Sequence, residues 1–298
     1  MHTAPPTPKA KKEVEQASTS GFSKISFLDQ QDTSSFDIVK ATQYGAFDRV
    51  QEIIESGFDV NERDEVNKIV KPTHQWATII KIIVFSLQEN VTLLHWASIN
   101  NRREIVQYFL QLGADCNAVG GELMSTPLHW ATRWCHSFLL LAYKFKIHSN
   151  YRQGHVGIVV ILVQAGADID HRDGEGCAAL QLAAQFGHTS IVGYLIAKGQ
   201  GVNTQDQNGM TALMWAAYRT SSLDPVRLLV TLGSSLTMAD SVQGNTALHW
   251  ALTARNSTGA SIIVNKGHST GSSVLTQANS SGETPACVLD RSVAKSQK

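Results

Sequence analysis

An excess of charge of one sign is absent from this 298-residue chain, because 25 Lys and Arg residues balance 25 Asp and Glu residues. A neutral chain lacks the broad basic surface with which proteins bind a phosphate backbone or an anionic membrane. Cysteine is also scarce, and Cys116, Cys135, Cys177 and Cys287 are far apart. This spacing argues against a disulfide framework and a CxxC metal site, and it favours a reducing compartment.

Long apolar segments are absent as well. The amino-terminal residues are rich in Pro, Lys, Ser and Thr and contain no apolar core of the kind a secretory signal needs. The longest apolar stretch elsewhere, Ala77 to Leu87, is interrupted by Lys81 and falls well short of the ~20 residues that cross a bilayer as a helix. We therefore expect a soluble chain with a disordered leader over residues 1–35 and a polar tail over 291–298.

One short pattern, with tryptophan before a final alanine, occurs four times along the chain. Its copies are Leu93–Ala97, Pro127–Ala131, Ala212–Ala216 and Ala247–Ala251. Helix-like apolar runs that end in glycine follow these copies. Glycine is the residue that most readily adopts the left-handed conformation after a helix. We expect such helix ends at Gly113, Gly166, Gly199, Gly233 and Gly267.

The copy Thr126-Pro127-Leu128-His129-Trp130-Ala131 resembles the threonine-proline-leucine-histidine-x-alanine motif of ankyrin repeats. The resemblance implies an all-α ankyrin-repeat solenoid of about seven helix-turn-helix units over residues 36–290, with the last unit incomplete. One such unit cannot bury both of its helices alone. Neighbouring units must therefore stack to form the core.

Two insertions interrupt the array. The anchoring alanines recur every 33 to 35 residues, except that 56 residues separate Ala41 from Ala97 and 52 separate Ala131 from Ala183. We place the extra residues at 66–88, in a turn between repeats, and at 134–152, between the two helices of one repeat. Both segments carry apolar runs without repeat character, and we interpret them as translated introns. Genuine lineage-specific loops are the alternative for these insertions, and sequencing the mature mRNA decides between the two interpretations.

The residues around the motif are more specific than the general ankyrin pattern. Examples are Asn90-Val91-Thr92-Leu93-Leu94-His95-Trp96-Ala97 and Ala183-Ala184-Gln185-Phe186-Gly187-His188. It resembles the amino-terminal ankyrin domain of the huntingtin-interacting palmitoyltransferases, which are ankyrin-containing members of the Asp-His-His-Cys S-acyltransferase family. The resemblance implies a cytosolic domain at the Golgi or a vesicle membrane that recruits substrates, followed by transmembrane helices and a zinc-containing catalytic domain. This sequence has no Asp-His-His-Cys run, so we expect no palmitate transfer, catalytic residue, metal or cofactor on this chain alone.

The same resemblance implies a peptide-binding site at Asn100, Trp130 and Trp96 for short disordered segments that contain valine or isoleucine and a glutamine-proline pair. Tryptophans beside the core alanine of successive repeats would recur along the concave side, where an indole suits an extended peptide. The alternative is that Trp96, Trp215 and Trp250 only pack the groove between repeats.

His95, His129 and His249 occupy the histidine position of the motif, where we expect hydrogen bonds within and between repeats and not a metal or catalytic site. Gly120-Gly121 is too short for a phosphate loop and indicates a turn. Three functions stay open: a module that presents substrates to a membrane acyltransferase, part of an enzyme whose catalytic half is missing from this sequence, and a free-standing ankyrin adaptor. A downstream exon that encodes transmembrane helices would favour the second.

Overall fold

A computed structural model describes residues 33–64, 90–133, 155–219 and 224–289. The two predicted insertions, 66–88 and 134–152, lie outside these ranges, as do the tail and nearly all of the leader. The boundaries that we assign to those segments stay predictions.

The helices of the described residues form consecutive antiparallel pairs, one pair for each repeat. The all-α solenoid predicted from the repeats is thus confirmed, and residues 285–289 are helical where the incomplete last unit is expected. The pairs are α1 (Ile38–Tyr44) with α2 (Phe47–Glu55), α3 (Leu93–Ile99) with α4 (Arg103–Gln111), α5 (Pro127–Arg133) with α6 (Val156–Gln164), α7 (Ala179–Gln185) with α8 (Thr189–Ala197), α9 (Ala212–Arg219) with α10 (Asp224–Thr231), and α11 (Ala247–Thr253) with α12 (Ser257–Thr270).

The helices stack in two rows. The first helices of the repeats, from α1 to α11, each contact the first helix of the next repeat, and the second helices, from α2 to α12, do the same. The first helices are the more deeply buried, and all seven residues of α3 are buried. One continuous apolar core runs between the rows, as expected where a single repeat cannot bury its own apolar faces.

A recurring backbone hydrogen bond closes five of the six helix pairs in the described ranges, because the residue before the second helix donates to the carbonyl of the anchoring alanine. The N···O distance is 2.9 Å from Arg102 to Ala97 and 2.8 Å from His188 to Ala183. Across the predicted second insertion, His155 makes the same bond to Ala131 at 3.4 Å. The packing of α5 on α6 is thus retained on either side of that segment.

The residues that flank the first predicted insertion also lie side by side. Strand β1 (Arg63–Asp64) pairs antiparallel with β2 (Val91–Thr92), with Arg63 opposite Thr92. The chain therefore leaves and re-enters the array at adjacent backbone positions, which is consistent with an insertion at a turn between repeats. A long segment closed at its base in this way costs little extra closure entropy.

The glycine that follows each second helix adopts the left-handed conformation in most repeats, with φ 86° at Gly113 and 94° at Gly166. The prediction for Gly267 is wrong, because α12 continues through it to Thr270 and ends at Gly271, where φ is 67°. A Cβ atom at Gly267 would lie 2.5 Å from Val274 Cγ2, so this glycine permits close packing inside the helix instead of ending it. None of the helices in the described ranges is long and apolar enough to cross a membrane.

Candidate peptide-binding site

The Thr-x-x-His motif fixes the start of three first helices. The backbone N–H of Thr126 donates to His129 Nδ1 at 3.2 Å, and that ring donates through Nε2 to the carbonyl of Cys177, 3.2 Å away in the next turn. His95 repeats this arrangement with Thr92 and the carbonyl of Ser125. The expected hydrogen bonds within and between repeats are therefore confirmed. His249 makes the equivalent bonds, to Thr246 and Glu283.

Two of these histidines are held neutral. Burial lowers the pKa of His95 and His129 to about 4, although their bonds to backbone carbonyls favour the charged form. An imidazole that donates to a carbonyl and accepts from a backbone N–H has no free nitrogen for a metal or a substrate. Their role in the described structure is to connect successive repeats.

Trp96 and Trp130, which we call the amino-terminal pair, follow these histidines on the adjacent helices α3 and α5. Their rings meet edge to face with centroids 5.9 Å apart, and Trp130 also packs edge-on against His95 at 5.2 Å. Val91 and Ile99 complete this small apolar cluster. Only 5% of Trp96 and 8% of Trp130 is exposed, so the pair presents narrow ring edges to solvent.

Asn100 directly follows α3 and is half-buried. Its side-chain Nδ2 donates to the carbonyl of Trp96 at 2.9 Å, which ties the amide to the end of the helix that carries this tryptophan. The three residues predicted as a peptide-binding site therefore lie on α3, at its end and on the neighbouring α5. Their role in binding stays a prediction.

Trp215 and Trp250, the carboxy-terminal pair, occupy the same motif position on α9 and α11 but are half-buried. Each indole N–H donates to a carboxylate: Trp215 Nε1 lies 2.8 Å from Asp206 Oδ2, and Trp250 Nε1 lies 3.0 Å from Asp240 Oδ2. Tyr218 stands edge-on to Trp250 with ring centroids 4.9 Å apart. The three rings help to line a cavity of about 180 Å³.

The aspartates are the part of this arrangement that the sequence analysis missed. Asp206 Oδ1 accepts the backbone N–H groups of Asn208 and Met210, and thereby shapes the turn that leads into α9. A recurring aspartate a few residues before a turn glycine, as in Asp206 and Gly209, is a signal that could have located them.

In the turn before α5, Gly120 occupies the position that Asp206 and Asp240 occupy before α9 and α11. Its backbone exchanges hydrogen bonds with Ser125, as the backbone N–H of Asp240 bonds to Asn245, and Gly121 has φ 73°. The turn predicted for Gly120-Gly121 is therefore confirmed. A Cβ atom at Gly120 would lie 2.6 Å from the carbonyl oxygen of Asn90, so no carboxylate fits below Trp130.

Of the three cysteines within the described ranges, Cys177 is buried, Cys116 is half-buried and Cys287 is exposed. The Sγ of Cys177 lies 3.6 Å from Asp206 Oδ2. Burial, reinforced by neighbouring carboxylates, raises the pKa of this thiol, and burial also raises the pKa of Cys116. A thiol whose pKa is raised stays protonated and is a poor nucleophile.

Comparison with known proteins agrees with this geometry. Three copies of the family described as ankyrin repeats match residues 38–151, 147–240 and 180–274. The chain belongs to the ankyrin-repeat family.

Its relatives include palmitoyltransferases. Palmitoyltransferase Hip14 of Drosophila melanogaster is 51% identical over 259 residues, which cover 87% of this chain and 33% of the relative. Human palmitoyltransferase ZDHHC17 is 49% identical over 236 residues, covering 79% and 31%. Human palmitoyltransferase ZDHHC13 is 40% identical over 255 residues, covering 86% and 33%. The resemblance to the ankyrin region of these enzymes is confirmed, and the chain spans about a third of their length.

Proposed function

We propose that this chain is a protein-interaction module that recruits substrate proteins to a palmitoyltransferase. The observation that carries the proposal is the similarity of nearly the whole array to the ankyrin part of proteins named as palmitoyltransferases. Acyl transfer itself would belong to the parts of those proteins that this chain does not match. The place of action would be the cytosolic side of a Golgi or vesicle membrane.

The proposed binding site is the surface formed by Asn100, Trp130 and Trp96. Indole edges offer apolar surface at low entropic cost, and a proline ring can pack on the exposed edge of Trp130. Asn100 Nδ2 is bonded to Trp96, whereas Oδ1 of the same amide accepts no hydrogen bond from the described residues. That oxygen is suited to accept the backbone N–H of an extended segment.

The ligand would be a short disordered segment with a valine or isoleucine followed by a glutamine-proline pair. A β-branched residue has little side-chain entropy to lose, and proline restricts the free peptide toward the extended conformation. Both properties lower the cost of ordering a segment on a row of helices. The narrow exposure of the amino-terminal pair favours one small ring over a large side chain.

Titration of a fluorescent peptide tests this function. We expect Trp130→Ala to weaken binding of a peptide with valine and Gln-Pro about thirtyfold, since truncating an aromatic anchor commonly costs about 2 kcal/mol. Arg227→Ala is the matched control, because Arg227 is exposed on α10 of the other row, and we expect it to leave the affinity unchanged. A peptide with Gln-Ala in place of Gln-Pro should bind several-fold more weakly.

Because Trp130 is nearly buried, its truncation also threatens the fold. Trp130→Phe keeps an aromatic ring, and circular dichroism shows whether either variant stays helical. If folded Trp130→Ala and Trp130→Phe variants both bind the peptide as tightly as the parent, the proposed site is wrong. Binding by this site without any effect on acylation by a full-length relative would instead support a free-standing adaptor.

A further inference from the structure

The cavity beside the carboxy-terminal pair is separate from the proposed peptide-binding site. Three aromatic rings, those of Trp215, Tyr218 and Trp250, line it together with Met210 and Asp240. Tyr218 is 38% exposed, so the cavity opens to solvent. An open cavity lined by several aromatic rings is a type of binding site that the nearly buried amino-terminal pair does not provide.

Negative charge lies directly behind these rings. Asp206 and Asp240 are buried, 6% and 5% exposed, and each holds one of the two indole N–H groups. A hydrogen bond from an indole N–H to a carboxylate increases the electron density on the ring face. The faces of Trp215 and Trp250 are therefore stronger cation acceptors than an isolated indole.

The carboxylates nevertheless have no oxygen left for a ligand. Asp240 Oδ1 accepts the backbone N–H groups of Val242 and Gln243, and Oδ2 accepts those of Asn245 and the indole. An ionised carboxylate offers about four such positions, so those of Asp240 are all filled. Asp206 is filled in the same way, by two backbone N–H groups, the Trp215 indole and the Cys177 thiol.

The carboxylates therefore supply negative charge without a free oxygen. Of the two amide side chains in the lining, that of Gln243 already accepts from Asn245 Nδ2 at 2.7 Å, which leaves only that of Asn208. A lysine ammonium brings three N–H donors and an arginine guanidinium five, and donors left unpaired in a cavity are costly. A quaternary ammonium group brings a positive charge and no donor. Its methyl groups can contact the ring faces directly, which is the geometry by which aromatic sites recognise such cations.

We propose that this cavity binds a quaternary ammonium group, carried by a trimethylated lysine of a partner protein. A protein segment is the favoured source because Trp215 and Trp250 lie on the same row of first helices as Trp96 and Trp130. A segment that follows this row would pass over the cavity. The guanidinium of Arg219 lies 6.0 Å from the ring of Tyr218, so a bound cation would share that ring with a resident positive charge.

Small probes test the cation preference on the full chain. We expect choline to shift the indole N–H resonances of Trp215 and Trp250 in a saturable way, and to leave that of Trp130 unchanged. The neutral isostere 3,3-dimethylbutan-1-ol has the same shape without the charge, and we expect it to bind at least about threefold more weakly. Equal affinities would show a merely apolar cavity and would overturn the proposal.

Paired variants locate the site. Tyr218→Leu should weaken choline binding severalfold, whereas Tyr218→Phe keeps the ring and should bind as the parent does. Because Tyr218 is exposed, neither change threatens the fold. A choline shift that is the same in Tyr218→Leu as in the parent would place the binding elsewhere and contradict the assignment.

A third comparison identifies the source of the cation. Two otherwise identical peptides, one with trimethyllysine and one with lysine, should differ in affinity severalfold in favour of the methylated form. Equal affinity of the two peptides, or binding of phosphatidylcholine vesicles with none of the methylated peptide, would overturn the assignment to a protein side chain. The Trp130 resonance reports the proposed peptide-binding site separately, so failure at one site is distinguishable from failure at the other.

Discussion

The two tryptophan pairs share one motif position and differ in what lies beneath them. The amino-terminal pair is nearly buried, edge to face, with a glycine in the turn below Trp130. The carboxy-terminal pair is half-buried, and each indole is held by an aspartate of its turn. The repeat motif therefore sets the position of a tryptophan, whereas the turn before it determines how much of the ring is exposed and what the indole N–H contacts.

A fall in pH should have the largest effect on folding stability, because the amino-terminal repeats contain the two neutral buried histidines. Burial lowers the pKa of His95 and His129 from 6.5 to about 4, so the unfolded chain binds more protons than the folded chain between these values. The stability that depends on these two neutral histidines is therefore complete above about pH 6.5 and is lost as the pH falls toward 4, by on the order of 3 kcal/mol for each histidine. Urea unfolding between pH 7 and 4 measures this loss.

A variant refines the acid experiment. Gln181 occupies the histidine position of α7 and donates to the carbonyl of Thr204 at 2.8 Å, so glutamine fits there. We expect His95→Gln to remove the contribution of His95, on the order of 3 kcal/mol, from the loss of stability between pH 6.5 and 4. An unchanged pH profile would show that His95 does not titrate as its burial requires.

Truncation of one tryptophan from each pair should give the next largest difference. Trp96→Ala removes a ring that is 5% exposed and should cost about 3–5 kcal/mol of unfolding free energy. Trp250→Ala removes a half-buried ring and should cost roughly half as much, including its bond to Asp240. Urea midpoints of the two variants test this order, and equal losses would mean that the two pairs are packed alike.

Replacement by phenylalanine isolates the indole N–H. Trp96 Nε1 is buried and has no hydrogen-bond partner among the described residues, so Trp96→Phe removes an unpaired donor and should change stability little. Trp250→Phe loses a bond to a carboxylate and should cost about 1 kcal/mol. Urea denaturation of both variants in one buffer measures the two losses of unfolding free energy. A greater loss for Trp96→Phe than for Trp250→Phe would contradict this prediction.

The fold followed from the sequence because local signals and packing agree in each repeat. The motif threonine and histidine cap three of the first helices. The anchoring alanine accepts the bond that closes the pair, as Ala97 does from Arg102. The helix end predicted at Gly267 is wrong because a glycine that ends a helix and a glycine that admits a neighbouring side chain look the same in a sequence. Only the position of Val274 distinguishes them.

The candidate sites were less accessible to sequence reasoning. Four tryptophans share one pattern, and their burial depends on residues far along the chain. Gly120 is constrained by the backbone at Asn90, and Asp240 is tied to Trp250 ten residues later. The contact of Trp96 with Trp130 likewise depends on the stacking of α3 on α5. The repeat period predicts this stacking, but it does not predict the orientation of the two rings.

Deletion of the predicted insertions should give the smallest effect. The closing bond from His155 to Ala131 is longer, at 3.4 Å, than the 2.8 Å bond from His188 to Ala183. We expect removal of 66–88 and 134–152 to raise the melting temperature by about 2 °C or more, since shorter connections cost less closure entropy. A lower melting temperature would show that the insertions are integral to the array.

Site-resolved NMR of the indole groups tests the central claim most directly. Trp→Phe variants assign the six tryptophan N–H resonances, and the valine and Gln-Pro peptide is then added to the full chain. We predict saturable shifts at Trp130 and Trp96, with Trp215 and Trp250 unchanged. Shifts confined to Trp215 and Trp250 would contradict the account, because the peptide would then bind the carboxy-terminal pair and the amino-terminal pair would serve only to pack the repeats.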